Sequence, residues 1–138
     1  MPRISTILRT LLGLAFVIFG LNYFLGFIPE PTPPAAAVAF MVPFIGAKYM
    51  GVVKVFEIAA GLLLVTNRFV PLALTLLAPI LVGITVFHVS LEPSGLPVPL
   101  VLLGLEVASA WFYRDAFAPM LKARTSPRTG SSAATVAA

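Results

Sequence analysis

The chain has 138 residues, of which 59% are hydrophobic and only 10% charged, and its mean hydropathy is +1.04. Soluble domains carry about 25% charged residues, so this composition cannot cover a water-facing surface. The net charge of +4 comes from nine Lys and Arg residues spread over apolar stretches and chain ends, which excludes a nucleic-acid-binding face. The absence of cysteine excludes disulfides and thiol chemistry, and one histidine provides no metal site. The composition indicates an integral membrane protein.

A membrane-spanning helix needs about 20 mostly apolar residues, and four such segments follow one another along the chain. The predicted spans are 10–28, 49–66, 69–91 and 97–117. The first is longer than the roughly 7–15 apolar residues of a signal peptide, so we interpret it as a retained span. The predicted fold is all-α, an integral membrane four-helix bundle over residues 1–121, followed by a disordered cytoplasmic tail over residues 122–138.

The link between the first two spans, residues 29–48, has a composition of its own. It opens with several prolines, which cannot continue a helix. It then becomes AAAVAFMVPFIGA, which is too short and too interrupted to cross a membrane. We expect a short, lid-like helix that lies on the surface over the mouth of the bundle or partly re-enters it.

Basic residues are distributed unequally between the two ends of the predicted bundle. The end with both termini and the link between the second and third spans has Arg3, Arg9, Arg68, Arg114, Lys122, Arg124 and Arg128. The opposite end has only Lys48, together with Glu30 and Glu92. Because cytoplasmic flanks of membrane helices carry the excess of Lys and Arg, both termini are predicted to be cytoplasmic.

Five polar side chains fall inside the apolar spans, where a charge at the membrane centre costs at least about 2.5–3.5 kcal/mol. They are Asn22, Lys54, Glu57, His88 and Glu106. With a rise of about 1.5 Å per residue, they lie at depths of about 5–13 Å in the outer half of the membrane. We interpret these five residues as candidate ligand-binding residues and assign no catalytic residue.

The same residues also have structural interpretations, which the sequence leaves open. Lys54 and Glu57 share a helix face, where a neutralised pair would fix the helix register. Glu106 would be protonated in apolar surroundings, or hydrogen-bonded to Asn22 or to the backbone. Asn22 would otherwise join helices, and His88 would contact headgroups or water near the surface.

The fourth span carries two further patterns. Leu102, Glu106 and Ser109 form a stripe along one face, since residues three and four apart are neighbours on a helix. Gly104 and Ala108 form a pair of small residues four apart, a spacing typical of close helix–helix approach in membranes.

Several segments resemble one known family. The strings FGLNYFLGFIPEP, VVKVFEIAAGLLLVTNRFVPLALTLLAPILV, VFHVSLEPSGLP and LEVASAWFYRDAFAPML are similar to the DoxX family of small four-helix bacterial membrane proteins, over residues 4–121. The positions that match are Asn22, Lys54, Glu57, Asn67, Pro79, His88 and Glu106, whereas Gly83 stands where an asparagine is expected. The resemblance implies an inner-membrane subunit of oxidoreductase systems, with thiosulfate–quinone chemistry in relatives.

Two classes of function follow. In the first, the chain is a redox-linked membrane subunit with an outer-half pocket for an amphipathic, quinone-like ligand, and His88 or Glu57 relays protons. Electrons would come from a partner subunit or a bound cofactor, because the chain has no redox-active side chain. In the second, the chain is a non-catalytic scaffold or assembly partner. A small proton-coupled exporter is disfavoured, since dual topology needs balanced flanking charges. The oligomeric state stays open.

The charge asymmetry yields a test of topology. After Leu121, a fused fluorescent protein is expected to fluoresce and a fused alkaline phosphatase to be inactive, since this position is predicted to be cytoplasmic. In the link 29–48 we expect the opposite pair of results. Paired alkaline phosphatase and fluorescent-protein fusions at both positions measure this, each serving as the control for the other. A fusion after Leu121 that is active only outside the cell would overturn the orientation.

Overall fold

The computed structural model describes residues 2–127, and every regular element among them is helical. The helices are α1 (Pro2–Leu25), α2 (Ala35–Gly46), α3 (Tyr49–Val65), α4 (Val70–Leu91), α5 (Pro97–Phe112) and α6 (Arg114–Phe117), with 3₁₀ turns at Pro93–Gly95 and Ala118–Leu121. The all-α prediction is confirmed. The predicted disordered tail lies outside the described residues from residue 128 onward.

Two helices are long and apolar enough to cross a membrane, namely α1 over Arg3–Leu25 and α4 over Val70–Leu91. A third span is formed if α2 and α3 are counted together, although their axes are bent by 85° at the break between them. Helix α5 is also apolar but shorter than a typical span. By length and composition, two or three helices of the described chain therefore suit a lipid bilayer.

The four longest helices pack around a common apolar core. Helix α1 packs against α3 and α5, and α4 packs against the same two helices, which closes a ring. Leu12, Phe16, Leu64 and Leu77 inside this ring are at most 1% exposed. The outer surface is also apolar, and large residues such as Val107 are more than half exposed on it. Helices that are hydrophobic all round suit a lipid bilayer.

Three predicted span boundaries differ from the helices by more than one residue. One is the end of α1, which lies at Leu25 rather than at residue 28. Helix α1 begins at Pro2 rather than at residue 10, because the polar and basic residues before the apolar stretch also form helix and proline suits the first helical position. Helix α5 ends at Phe112 rather than at residue 117, because Tyr113 departs from helical geometry and α6 begins after it as a separate short helix. The ends of α3 and α4 lie within one residue of their predictions.

The link between α1 and α3 contains a short helix, as predicted. Four prolines precede it in an extended stretch, and α2 then runs over Ala35–Gly46. Helix α2 contacts both α3 and α4. Phe44 of α2 packs against Tyr49 at the start of α3. Phe40 packs against Phe87 near the end of α4, so α2 lies beside one end of the ring.

Glycines set the closest approach in the ring, between α1 and α3. A Cβ added to Gly13 would lie 2.7 Å from the carbonyl oxygen of Gly61, and a Cβ on Gly61 would lie 2.7 Å from that of Gly13. A Cβ on Gly20 would lie 2.6 Å from the side chain of Ile58. By contrast, a Cβ added to Gly104 of α5 would meet no neighbouring atom within 4 Å. The close approach expected at the Gly104 pair is therefore found at Gly13 and Gly61.

The two kinds of glycine predict opposite responses to alanine. Gly13→Ala and Gly61→Ala each push the backbones of α1 and α3 apart. Overpacking of this kind lowers the free energy of unfolding by about 1–3 kcal/mol. Gly104→Ala meets open space and should cost nothing, which makes it the matched control. Thermal or denaturant unfolding in detergent measures the difference. Equal destabilisation by all three changes would contradict this account of the α1–α3 contact.

Candidate functional site

Lys54 and Glu57 form an ion pair on α3. The Lys54 ammonium donates to both carboxylate oxygens of Glu57, at 3.0 Å and 2.8 Å. The Glu57 side chain is 1% exposed, whereas that of Lys54 is 19% exposed. The three-residue spacing places both groups on one helix face, so the pairing predicted from the sequence is present. The pair neutralises the charge that the buried carboxylate would otherwise bring into the ring.

Asn22 contacts the link that follows α1 rather than another helix. Its side-chain oxygen accepts the backbone N–H of Ile28 at 2.6 Å. Its amide nitrogen donates to the Ile28 carbonyl at 3.3 Å and to the Glu30 carboxylate at 3.2 Å. All polar atoms of this buried amide are therefore used to hold the chain as it leaves α1. The alternative in which Asn22 bonds Glu106 does not match these partners.

His88 lies at the end of α4, where the chain turns into the loop before α5. Its Nδ1 is 2.8 Å from the carbonyl oxygen of Ile84, and its Nε2 is 3.8 Å from a carboxylate oxygen of Glu92. A Cβ on Gly95 would lie 2.6 Å from the imidazole ring, so the loop packs directly on it. The His88 side chain is partly exposed.

Glu106 and Ser109 are the buried polar residues whose atoms lack partners within the described chain. Glu106 is 5% exposed and Ser109 is 0% exposed, and both lie on the buried face of α5. The Glu106 Oε2 and Ser109 Oγ atoms make no hydrogen bond there. Most buried polar atoms in proteins have a partner, and an exception calls for an explanation such as a bound molecule or water.

The hydroxyl of Ser109 also differs from those of the threonines. Thr66, Thr75 and Thr85 each donate to the carbonyl four residues earlier in their own helix, at 2.7–2.8 Å. Such a bond removes the cost of an unpaired hydroxyl in an apolar medium. Ser109 does not make it, so its hydroxyl is left available to the interior.

The five predicted site residues separate into two levels. Asn22 and His88 lie within one turn of the last residues of α1 and α4, about 5 Å in from the helix ends. Glu57 and Glu106 lie about 12–14 Å from the first residues of α3 and α5, on faces turned to the common core. Among the five, Lys54 and Glu57 bond each other, whereas Glu106, Asn22 and His88 make no described bond to another member of the set.

Arg9 has a role that the sequence did not reveal. It was grouped with the flanking basic residues, yet it is only 7% exposed. Its guanidinium donates to the carbonyl oxygens of Leu64 and Val65 at the end of α3. The Leu64 carbonyl also accepts the backbone N–H of Asn67 in the turn after α3, and a cation is favoured at this end of the helix dipole. Its position at the start of an apolar stretch indicated that Arg9 could be buried. The sequence alone did not predict that it bonds the end of α3.

A scan against protein-family models and searches among curated proteins and solved structures find no match to this chain. The site is therefore interpreted from its own geometry.

The Lys54–Glu57 pair predicts strong non-additivity. Lys54→Met or Glu57→Leu alone leaves a buried charge unpaired, which costs about 3–5 kcal/mol in soluble proteins. The double variant removes both charges and should be milder than the sum of the two single changes. Unfolding in detergent of the wild type, both single variants and the double variant measures the coupling.

The partly exposed His88–Glu92 contact serves as the control for that cycle. Its Nε2 and Oε2 atoms are 3.8 Å apart, beyond hydrogen-bond distance, so Glu92→Gln removes no hydrogen bond between them and should change stability little. Additive losses in the Lys54–Glu57 cycle would show that the two charges do not stabilise each other.

Proposed function

We propose that this chain is a DoxX-like, four-span protein of the bacterial inner membrane, with both termini in the cytoplasm. In this proposal it serves as the membrane subunit of a redox-linked system and holds an amphipathic, quinone-like molecule inside its ring of helices. The observation that carries the proposal is the pair of buried, unpartnered polar groups on α5, the Glu106 carboxyl and the Ser109 hydroxyl.

The chemistry of this pair suits an uncharged ligand with a polar head. A hydroxyl donates and accepts, and a carboxyl does the same when protonated, so together they match a carbonyl or hydroxyl group. The walls nearby are apolar, with Leu102 on the same face of α5. Small-molecule sites are typically apolar with a few converging polar groups. A quinone combines such carbonyls with an apolar body.

A bound quinone would supply the electron-accepting group that the side chains of this chain lack. The residues would supply orientation and protons. Ser109 and Glu106 would hold a carbonyl of the head group through hydrogen bonds. Glu57, held by Lys54 at a similar depth on α3, and His88 near the end of α4 next to Glu92 are the groups that would pass protons. Electrons would come from a partner subunit.

The four-span arrangement requires α3 and α5 to cross although they are short. Their 17 and 16 residues give lengths of about 26 Å and 24 Å, against about 30 Å for the apolar membrane core. Local thinning of the bilayer accommodates a mismatch of a few ångströms at modest cost. The position of α5 between α1 and α4 supports a full crossing, because a helix packed along two spans follows their direction.

A non-catalytic scaffold is the second candidate, and a specific observation favours it. Asn22 and the Lys54–Glu57 pair find all their partners within the chain. Polar residues satisfied in this way hold helices and loops in place without any ligand. In that case Glu106 and Ser109 would be hydrated by buried water rather than bound to a ligand.

Purification in a mild detergent, followed by mass spectrometry of the extracted lipids, separates the two candidates. The redox-linked proposal expects a stoichiometric quinone-like molecule in the wild type. Ser109→Ala removes one hydrogen bond of about 1 kcal/mol and should weaken binding of an added decyl-benzoquinone about fivefold. Glu106→Gln should weaken it as well, with the fold retained, because the change adds neither bulk nor charge. Ser90→Ala, at an exposed serine of α4, is the matched control.

The scaffold alternative expects a different set of results. Only membrane lipid would be extracted, and decyl-benzoquinone would bind the wild type and Ser109→Ala equally weakly. Variants at Glu106 that melt early yet bind the benzoquinone like the wild type would also count against a ligand site.

A further inference from the structure

The lipid-facing side of α5 carries an apolar groove that the proposed function does not use. Its volume is about 560 Å³, and it is lined by residues of α5 alone, from Leu100 to Phe112. Gly104 and Ala108 form its floor, because neither has a side chain large enough to fill it. A Cβ on Gly104 would meet nothing within 4 Å, so no other part of the described chain covers the groove.

The length of the groove matches one leaflet of a bilayer. Leu100 and Phe112 are about 18 Å apart along the helix axis at a rise of about 1.5 Å per residue. One half of the apolar membrane core is about 15 Å deep. The groove ends where α5 ends, at the same end of the ring as Arg9 and Arg68. An acyl chain of the leaflet at that end can therefore lie along the whole groove.

A cation stands at the end of the groove that reaches the membrane surface. The Arg114 guanidinium lies over the ring of Trp111, 5.2 Å from its centre, and donates to the Trp111 carbonyl at 3.1 Å. Trp111 is itself a lining residue and is 67% exposed. A guanidinium has five N–H donors, and one carbonyl leaves several for a phosphate group. Lys122 and Arg124 follow within the exposed segment after α6.

We propose that this groove is a binding site for one anionic phospholipid, with an acyl chain along Leu100–Phe112 and the phosphate on Arg114. Charge complementarity favours this occupant over a second copy of the chain. A parallel two-fold dimer through the groove would bring two Arg114 guanidinium groups close to each other, and like charges repel. An anionic head group instead neutralises the cation, as basic residues near membrane surfaces do with anionic lipids.

The single tryptophan makes the site directly measurable, since Trp111 lines the groove and no other tryptophan is present in the sequence. The protein is reconstituted in phosphatidylcholine vesicles, and brominated phosphatidylglycerol or brominated phosphatidylcholine is added in matched series. Bromine quenches tryptophan fluorescence on contact. We expect phosphatidylglycerol to be preferred about fivefold, as one basic residue at the surface contributes about that factor.

Two variants with matched controls separate the acyl chain from the head group. Gly104→Leu places a side chain in the groove, at a position where an added Cβ meets no atom within 4 Å, and should reduce quenching by both lipids. Gly83→Leu, at an equally open position on α4, should not. Arg114→Gln should lower the preference for phosphatidylglycerol over phosphatidylcholine from about fivefold to nearly none. Arg124→Gln, a change of the same charge farther along the chain, should leave most of the preference in place.

Three results would overturn the proposal. The first is equal quenching of the wild type by the two lipids. The second is a Gly104→Leu protein that folds and quenches like the wild type. The third is a wild type that is dimeric in dilute detergent and becomes monomeric with Gly104→Leu, which would identify a second copy as the occupant. None of these results bears on quinone binding inside the ring.

Discussion

The backbone contact between α1 and α3 is the constraint on which the rest of the ring depends. Gly13 and Gly61 allow the two helices to approach until the carbonyl of each would touch a Cβ on the other. Lipid provides no hydrophobic force that drives helices together, so close packing of this kind supplies the attraction. The same register brings the Arg9 guanidinium to the end of α3. With α1 and α3 fixed, the face of α3 that carries Glu57 is turned toward the core.

Polar groups inside this ring divide into those that stabilise the fold and those left available. Without water, each unpaired group costs several kcal/mol, so a satisfied group needs no further explanation. Lys54 satisfies Glu57, and the link after α1 satisfies Asn22. Glu106 and Ser109 remain, one turn apart on α5. Folding alone does not require two buried polar groups without partners. Their presence on α5 therefore points to a ligand at this helix.

The sequence predicted the elements well wherever an apolar run ended at a turn. Helices α3 and α4 are separated by the short link at Asn67, and both ends follow the hydropathy pattern. The Lys54–Glu57 pair was predictable because it depends only on helical spacing. The partners of Asn22 were not, since Ile28 and Glu30 reach it only through the path of a proline-rich link.

The spacing of small residues likewise shows that another helix can approach a given helix face closely. It does not show which helix does so. The pair at Gly104 and Ala108 has the expected four-residue spacing, yet it faces outward. Gly13 and Gly61 lie on different helices, so no spacing along the chain connects them. The choice between the two depends on which helix faces are buried, and that is decided by the packing of the whole ring.

The two short helices of the ring explain the placement of the short apolar segments. The apolar α2 joins the start of α3 at 85°. After the last residue of α5 the chain continues as Arg114–Phe117 and Ala118–Leu121, with Leu121 83% exposed. Helices α3 and α5 are about 24–26 Å long, against about 30 Å for an apolar membrane core, and each segment adds apolar surface at one end of a short helix. The turn after α5 also holds Arg114 over Trp111, so the place where α5 ends is what puts a cation at the end of the groove.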